Sequence, residues 1–284
     1  MVSPQIQRFT ALLFAALLGI ATASAALPPP DINGTVAGNN RFALDLYSKL
    51  RDTKGNLFFS PYSISTAMAM CYGGARGDTA EEMAKVLHFT RSAQPHPAFT
   101  ELTARLEALQ RNGQVQLHMA NSLWPRQGYP LLVEYLTLSK HHYAASITPL
   151  DFANTAEASQ TINRWVENNT EQKIRDMVRP GDLDPKAALV LVNAIYFKGN
   201  WASRFDPRRT QRAKFSLPGN TTTLAPMLYQ KGRFRYAQLE GVQLLELPYA
   251  GNGLSMVVIL PTTRGKLARI EDSLTPSTLD GWLS

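Results

Sequence analysis

Residues 191–201 have the sequence Leu191-Val192-Asn193-Ala194-Ile195-Tyr196-Phe197-Lys198-Gly199-Asn200-Trp201, and this stretch decides the fold. From residue 187 onward, apolar side chains occupy both alternating sets of positions. A strand that is apolar on both faces belongs inside a sheet that is covered on both sides. About 11 residues at about 3.3 Å each would span roughly 36 Å, which is long for a globular protein. Asn193 lies in the middle of this strand, and a buried amide there needs hydrogen-bond partners.

A closely packed helix is predicted upstream of this strand. Ser60 is a typical N-cap residue, and Pro61 follows at the first helical position, where a missing N–H costs nothing. The glycines at 73 and 74 predict the end of the helix, since they tolerate a left-handed backbone. The side chains between these ends suit a helix that its neighbours wrap closely, because many are small: Ser63, Ser65, Thr66, Ala67 and Ala69.

Further strands are predicted mainly in the second half of the chain. Alternating or continuous apolar runs occur at 115–124, 233–238, 242–247 and 254–260. Amphipathic helical patterns occur mostly before residue 187. Helices first and strands later favour an α+β fold.

Capping motifs predict where several helices begin. Thr79 and Glu82 form a capping-box pattern, and Asn154 with Glu157 has the same spacing. Ser277 could cap a final helix close to the end of the sequence.

The composition is that of an ordinary globular protein with a mild basic excess. The chain has 284 residues, of which 44% are hydrophobic, and its net charge is 29 − 22 = +7. No basic tract is interleaved with aromatic residues, so nucleic-acid binding is not predicted. The densest basic stretch contains Arg204, Arg208, Arg209, Arg212 and Lys214.

The first 25 residues indicate a secretory signal peptide. Arg8 precedes an apolar run of about 13 residues, too short to span a membrane comfortably. The small-x-small motif at 23–25 predicts cleavage between Ala25 and Ala26. An uncleaved anchor is the alternative. No later apolar run has transmembrane length, so we expect a secreted, extracellular protein with no membrane partner.

After the signal peptide, residues 26–39 are interpreted as a linker and residues 40–284 as one domain. The linker assignment depends on the Pro, Gly and Asn content of this stretch. Three Asn-x-Ser/Thr sequons could carry glycans in a eukaryotic host, at Asn33, Asn168 and Asn220.

The residue types that carry catalysis or bind metals show no recognisable pattern. Cys71 is the only cysteine, so no internal disulfide can form, and its apolar surroundings predict a buried, inert thiol. No nucleophile elbow or zinc-protease motif accompanies the five histidines His88, His96, His118, His141 and His142. The chain is therefore not expected to be an enzyme or to bind a metal or cofactor.

A series of motifs in the chain resembles the serpins, a family of serine-protease inhibitors, over about residues 40 to 284. The motifs are 57–67 (LFFSPYSISTA), 73–79 (GGARGDT), 120–124 (ANSLW), 151–152 (DF), 162–166 (INRWV), Thr170, 191–201 (LVNAIYFKGNW), Met227, 247–249 (LPY) and 255–261 (SMVVILP). They stand in the family's order without a gap.

The resemblance implies N-terminal helices around a large central sheet, with two smaller sheets. It also implies that a protease attacks an exposed reactive loop and forms an acyl-enzyme. The cleaved loop then inserts into the central sheet beside the 187–201 strand and distorts the protease. By resemblance, Ser60, Ser63 and Asn193 form the family's shutter, the polar cluster where the central sheet opens. Trp201 corresponds to the breach, where insertion begins.

The same resemblance places the reactive loop, the second gate strand and the final strands downstream of residue 284. The chain is therefore expected to be an incomplete domain that is inactive as given, and its target serine protease cannot be identified. A non-inhibitory binding or chaperone protein is the alternative, as is a fragment from an interrupted gene. Polyanion binding is not expected, because Glu101 and Glu107 offset Arg105 and Arg111 on the helix that heparin-regulated serpins use.

Overall fold

The computed structural model describes residues 29–89, 95–217, 221–251, 253–263 and 265–283. The helices in these ranges are α1 (Ile32–Leu50), α2 (Pro61–Gly74), α3 (Gly77–Val86), α4 (Pro95–Ala108), α5 (Val133–Tyr143), α6 (Thr155–Asn169), α7 (Leu267–Ser273) and α8 (Pro276–Leu283). The strands are β1 (Val115–Pro125), β2 (Ser146–Ile147), β3 (Leu189–Gly199), β4 (Gln211–Ser216), β5 (Thr222–Met227), β6 (Arg235–Leu239), β7 (Val242–Pro248) and β8 (Ser255–Pro261). No helix in the described ranges is both long enough and apolar enough to cross a membrane.

The strand predicted over 187–201 is β3, and it pairs with β1 along its whole length. The two strands are antiparallel, from Val115 opposite Gly199 to Pro125 opposite Leu189. The short strand β2 joins the other side of β1 in parallel, so the strand order is β2-β1-β3. Among the described residues, β3 is therefore an edge strand, whereas the sequence pattern predicted an interior one.

Both faces of β3 nevertheless pack against apolar side chains, as its pattern predicted. Val192 and Ala194 belong to the core cluster that includes Ile162 and Val166 of α6. The opposite face of β3 packs Leu191 against a second cluster, which includes residues of α2, α4 and α5. The β2-β1-β3 sheet thus lies between α6 on one side and α2, α4 and α5 on the other.

Helix α2 has the predicted bounds and the predicted close packing. Its side chains Ser65, Thr66, Ala69 and Met70 are buried. At Gly73, a Cβ atom would lie 2.9 Å from Leu138 Cδ2 of α5, so a larger residue there would require the Leu138 side chain to move. Small residues in α2 therefore allow neighbouring helices to approach it closely.

The second half of the described chain forms two further antiparallel sheets. Strands β6, β7 and β8 form a three-stranded sheet close to the predicted ranges. Strands β4 and β5 form a two-stranded sheet that the sequence interpretation missed. That stretch was judged by its charges, although Arg212 and Lys214 alternate with Ala213 and Phe215 in the period of a strand.

The structure corrects the linker assigned to residues 26–39. Helix α1 begins at Ile32, and the Asp31 side chain caps it by accepting a 2.8 Å hydrogen bond from Gly34 N. Residues 32–39 are therefore helical, despite their glycines and asparagines. The predicted signal peptide and the Ala25–Ala26 cleavage site lie outside the described residues.

Two predicted helix starts also differ from the structure. Helix α3 begins at Gly77 after Arg76, which makes no side-chain cap, so Thr79 and Glu82 lie inside the helix. The final helix begins at Pro276, and the Thr275 hydroxyl accepts a hydrogen bond from Thr278 N in place of the predicted Ser277 cap. The Asn154 cap of α6 is confirmed, since its side chain accepts from Glu157 N.

Candidate functional site

A chain of polar side chains joins the middle of β3 to β1 and α2. Asn193 lies directly opposite Asn121 in the β1–β3 ladder. Its Nδ2 donates a 2.6 Å hydrogen bond to Asn121 Oδ1. Its Oδ1 accepts a hydrogen bond from the Ser63 hydroxyl of α2. The amide that the sequence placed in an apolar strand therefore has a partner for both its donor and its acceptor atom.

Asn121 extends this chain to α5. Its Nδ2 donates a 2.8 Å hydrogen bond to the backbone oxygen of Tyr143, the last residue of that helix. Sequence analysis missed Asn121, although it stands in one of the quoted motifs at 120–124. Its position opposite Asn193 depends on the strand register, which the composition of either strand alone does not specify.

Ser60 does not contact the two asparagines directly but is connected to them through Ser63. Its hydroxyl accepts a 3.2 Å hydrogen bond from Ser63 N and so caps α2. Capping fixes the first turn of the helix, where the Ser63 side chain points to Asn193. The structure thus brings Ser60, Ser63 and Asn193 into one connected group, and their role as a shutter stays a prediction.

We call Ser63, Asn121 and Asn193 the asparagine network. All three residues are partly buried and lie between the sheet and the surrounding helices. Removing one member would leave partners without a hydrogen bond, at about 1–3 kcal/mol for each orphaned buried group. The network can therefore help to hold the sheet and α2 together, alongside the apolar contacts of the cluster that includes Ala69, Met70 and Leu191.

Trp201, the residue predicted to mark the breach, lies just beyond the end of β3. Its ring stacks on Tyr249 at 4.5 Å between centroids with 12° between the planes. Backbone hydrogen bonds reinforce this contact, from Ala202 N to Pro248 O at 2.9 Å and from Ala250 N to Asn200 O at 2.7 Å. The predicted breach residue therefore joins the end of β3 to the end of β7.

The remaining predicted sites are placed as follows. Asn33 on α1 and Asn168 on α6 are exposed, while Asn220 lies outside the described residues. Cys71 is partly buried, and burial raises the pKa of its thiol. Within the described ranges, no three His, Cys, Asp or Glu side chains are grouped so that they could hold a metal ion. Glycan occupancy and the lack of a metal or cofactor stay predictions.

Comparison with known proteins identifies the family. The family model for serpins, described as serine protease inhibitors, matches residues 37–284. The chain belongs to the serpin family.

Serpins from distant organisms are similar to this one over most of its length. Human leukocyte elastase inhibitor is 40% identical over 255 residues, covering 87% of this chain and 67% of the relative. An uncharacterized serpin-like protein of Thermococcus kodakarensis is 42% identical over 246 residues, covering 86% of this chain and 57% of the relative. The chain thus spans between 57% and 67% of the length of these two relatives.

The fold is likewise similar to a solved serpin structure. Emu ovalbumin superposes with a TM-score of 0.82 at 31% sequence identity, and the match covers 88% of this chain and 69% of ovalbumin. This similarity confirms the predicted serpin-like α+β fold.

Proposed function

We propose that this serpin is part of a serine-protease inhibitor that acts as a suicide substrate. The observation that carries the proposal is the combination of a long β3 with a polar network at its centre. Strand β3 has 11 residues and pairs only with β1 among the described residues. A strand added at its free edge would gain a row of main-chain hydrogen bonds.

The asparagine network supports such an insertion mechanism. Opening the sheet beside β3 requires that α2 and the sheet shift relative to each other, and Ser63 and Asn193 connect the two. A few hydrogen bonds in a partly buried site can be exchanged at lower cost than a large apolar interface can be separated. The covalent step would occur in a reactive loop, and the partner would be a serine protease of unidentified specificity.

Incubation of the full-length gene product with trypsin-, chymotrypsin- and elastase-like proteases tests this proposal. We expect a covalent band of summed mass on denaturing gels with at least one of them. Residues 26–284 alone should give no such band with any of the proteases, because the reactive loop is expected downstream. A covalent band from this shorter chain would contradict that expectation.

A non-inhibitory serpin-fold binding or chaperone protein is the second candidate. The similarity to ovalbumin keeps this candidate open, because some serpins with this fold are non-inhibitory. Cleavage of the full-length product by all three proteases, without a covalent complex, would support this candidate over the inhibitor.

We also propose that the protein is secreted. The N-terminal 25 residues have the charge and apolar pattern of a signal peptide. N-terminal sequencing of exported protein should begin at Ala26, and an intact Met1 would contradict the proposal.

A further inference from the structure

Tyr143 connects the asparagine network to a buried histidine. It is the last residue of α5 and is 4% exposed. Its backbone oxygen accepts the hydrogen bond from Asn121 Nδ2. Its hydroxyl oxygen lies 2.6 Å from Nδ1 of His96, in the first turn of α4. One residue thus touches the network with its main chain and the histidine with its side chain.

Among the described residues, the groups that pack around His96 offer no negative charge. Its side chain is buried, at 3% exposure. The rings of Tyr72 from α2 and of His142 and Tyr143 from α5 lie within about 6 Å of its ring. No described Asp or Glu forms an ion pair with it. A protonated His96 would therefore be a buried cation without a counter-charge.

The other titratable groups around this pair do not compensate for such a cation. His142 Nδ1 lies 2.9 Å from the Thr100 hydroxyl, and the His141 ring packs against His142 at 4.6 Å. Tyr62 and Tyr135 act on Tyr143 as neighbouring titratable groups, and burial raises the pKa of all three tyrosines. Protonation of His142 would make the charging of His96 harder still.

A neutral His96 suits the observed hydrogen bond. With Nδ1 unprotonated, this atom accepts and the Tyr143 hydroxyl donates. A proton on Nδ1 would turn it into a donor, so the hydroxyl would have to give up its donated bond and rotate. Burial, and to a smaller extent His142, lowers the pKa of His96 from 6.5 to about 4. Stability from the neutral ring is present above pH 6.5 and is lost as the pH falls toward 4.

We propose that the His96–Tyr143 pair is a proton-sensitive support for the asparagine network. Protonation drives His96 out of its pocket, Tyr143 loses the contact that fixes the end of α5, and the backbone oxygen that receives Asn121 becomes free to move. The Asn121–Asn193–Ser63 connection between the sheet and α2 then weakens. This coupling belongs to the fold of the chain and does not depend on inhibition of a protease.

Direct titration of the wild-type protein is the first test. The imidazole signals of His96 in NMR should titrate well below pH 6.5. The side-chain amide signals of Asn121 and Asn193 should shift with the same midpoint. Amide signals that stay constant through the titration of His96 would overturn the proposal.

Hydrogen exchange in substituted proteins is the second test. If the opened state restores an ordinary histidine pKa, the opening equilibrium of β1 and β3 should rise on the order of thirtyfold between pH 7.5 and pH 5. Exchange rates are corrected for the intrinsic effect of pH. In His96→Phe, which keeps a ring but cannot titrate, this rise should be lost, even if the variant is less stable at pH 7.5.

The matched control is His118→Gln, since His118 lies on β1 but has a side chain that is 43% exposed. This variant should keep the wild-type rise in exchange. Equal pH dependence in wild type and His96→Phe would refute the proposal, as would an acid effect confined to α4 and α5. If His96→Phe does not fold, the NMR titration of the wild type decides alone.

Discussion

The β1–β3 region and the β6–β8 region both consist of regular antiparallel strands, but they differ in how they are covered. In the first region, Leu123 and Trp124 of β1 are almost completely buried. In the second, the β8 side chains Met256, Val257 and Val258 are each more than a third exposed. Hydrogen-bonded pairing and side-chain burial are thus separate contributions to a sheet, and a regular pairing does not guarantee that its apolar side chains are covered.

This difference has a physical consequence for stability. Burial of apolar area contributes about 25 cal/mol per Å², whereas the net contribution of one hydrogen bond is only about 1 kcal/mol. The β1–β3 region should therefore dominate the cooperative core of the described chain. The β6–β8 region has regular hydrogen-bonded pairing, but it exposes apolar side chains that favour association between copies.

The largest expected effect concerns that exposed apolar surface. Residues 26–284 in isolation should bind a hydrophobic dye and associate, because contiguous apolar patches and strand edges promote contact between copies. Val258→Lys together with Leu260→Lys should reduce both, since these side chains are 38% and 54% exposed. Dye fluorescence and size-exclusion chromatography measure the effect.

The control for this experiment adds the same charge without removing apolar surface. Gln211→Lys with Gln238→Lys changes two exposed polar residues of β4 and β6. It should leave dye binding close to the starting value. A monomeric chain with one sharp thermal transition and no bound dye would contradict the prediction.

The next largest effect should come from truncation of a core side chain. Phe152 is 0% exposed and packs in the cluster between α6 and the sheet. Phe152→Ala should lower the free energy of unfolding by about 3–5 kcal/mol, because it leaves a cavity. Leu260→Ala on exposed β8 should change it by no more than about 0.5 kcal/mol. Similar costs in urea unfolding would show that the two regions are equally packed.

The sequence predicted the elements whose pattern is local and unambiguous. The apolar positions of β3, the Ser60-Pro61 start of α2 and its end at Gly74 agree with the structure, although Gly73 and Gly74 do not adopt the left-handed backbone on which that end was predicted. These features depend on backbone chemistry within a few residues, so a single chain reveals them.

What the sequence did not reveal depends on contacts between distant residues. Asn121 became part of the site only because the register places it opposite Asn193. Helix α1 was missed over 32–39, because its glycines favour a linker by propensity alone. In the structure, Gly38 is buried, and a Cβ there would lie 2.5 Å from the backbone oxygen of His88. A close tertiary contact thus requires the glycine inside a helix.

A smaller effect is expected at the asparagine network. Asn193→Ala should cost about 1–3 kcal/mol, because it leaves the Ser63 hydroxyl and Asn121 Oδ1 without partners. The double substitution with Asn121→Ala should cost less than the sum, with a coupling of about 0.5–3 kcal/mol. Asn39→Ala is the matched control, since Asn39 Oδ1 is buried without a hydrogen-bond partner. Its removal breaks no hydrogen bond of this oxygen and should not lower the free energy of unfolding. Additive costs in the cycle would show that the two asparagines act separately.

The smallest loss of stability should come from removal of the α2 cap. Substitutions at Ser60 also test whether the cap acts separately from the asparagine network. Ser60→Ala removes the acceptor for Ser63 N and should cost about 1 kcal/mol, whereas Ser60→Gly should cost only a few tenths. If Ser60 only orders the first turn, the Ser63–Asn193 coupling measured in the Ser60→Ala background should stay unchanged. If the cap aims the Ser63 hydroxyl at Asn193, the coupling between Ser63 and Asn193 should fall while that between Asn121 and Asn193 persists. Urea unfolding of the corresponding double-mutant cycles distinguishes these outcomes. Equal losses of stability for the alanine and glycine variants would argue that Ser60 contributes through its side-chain packing and not through the cap.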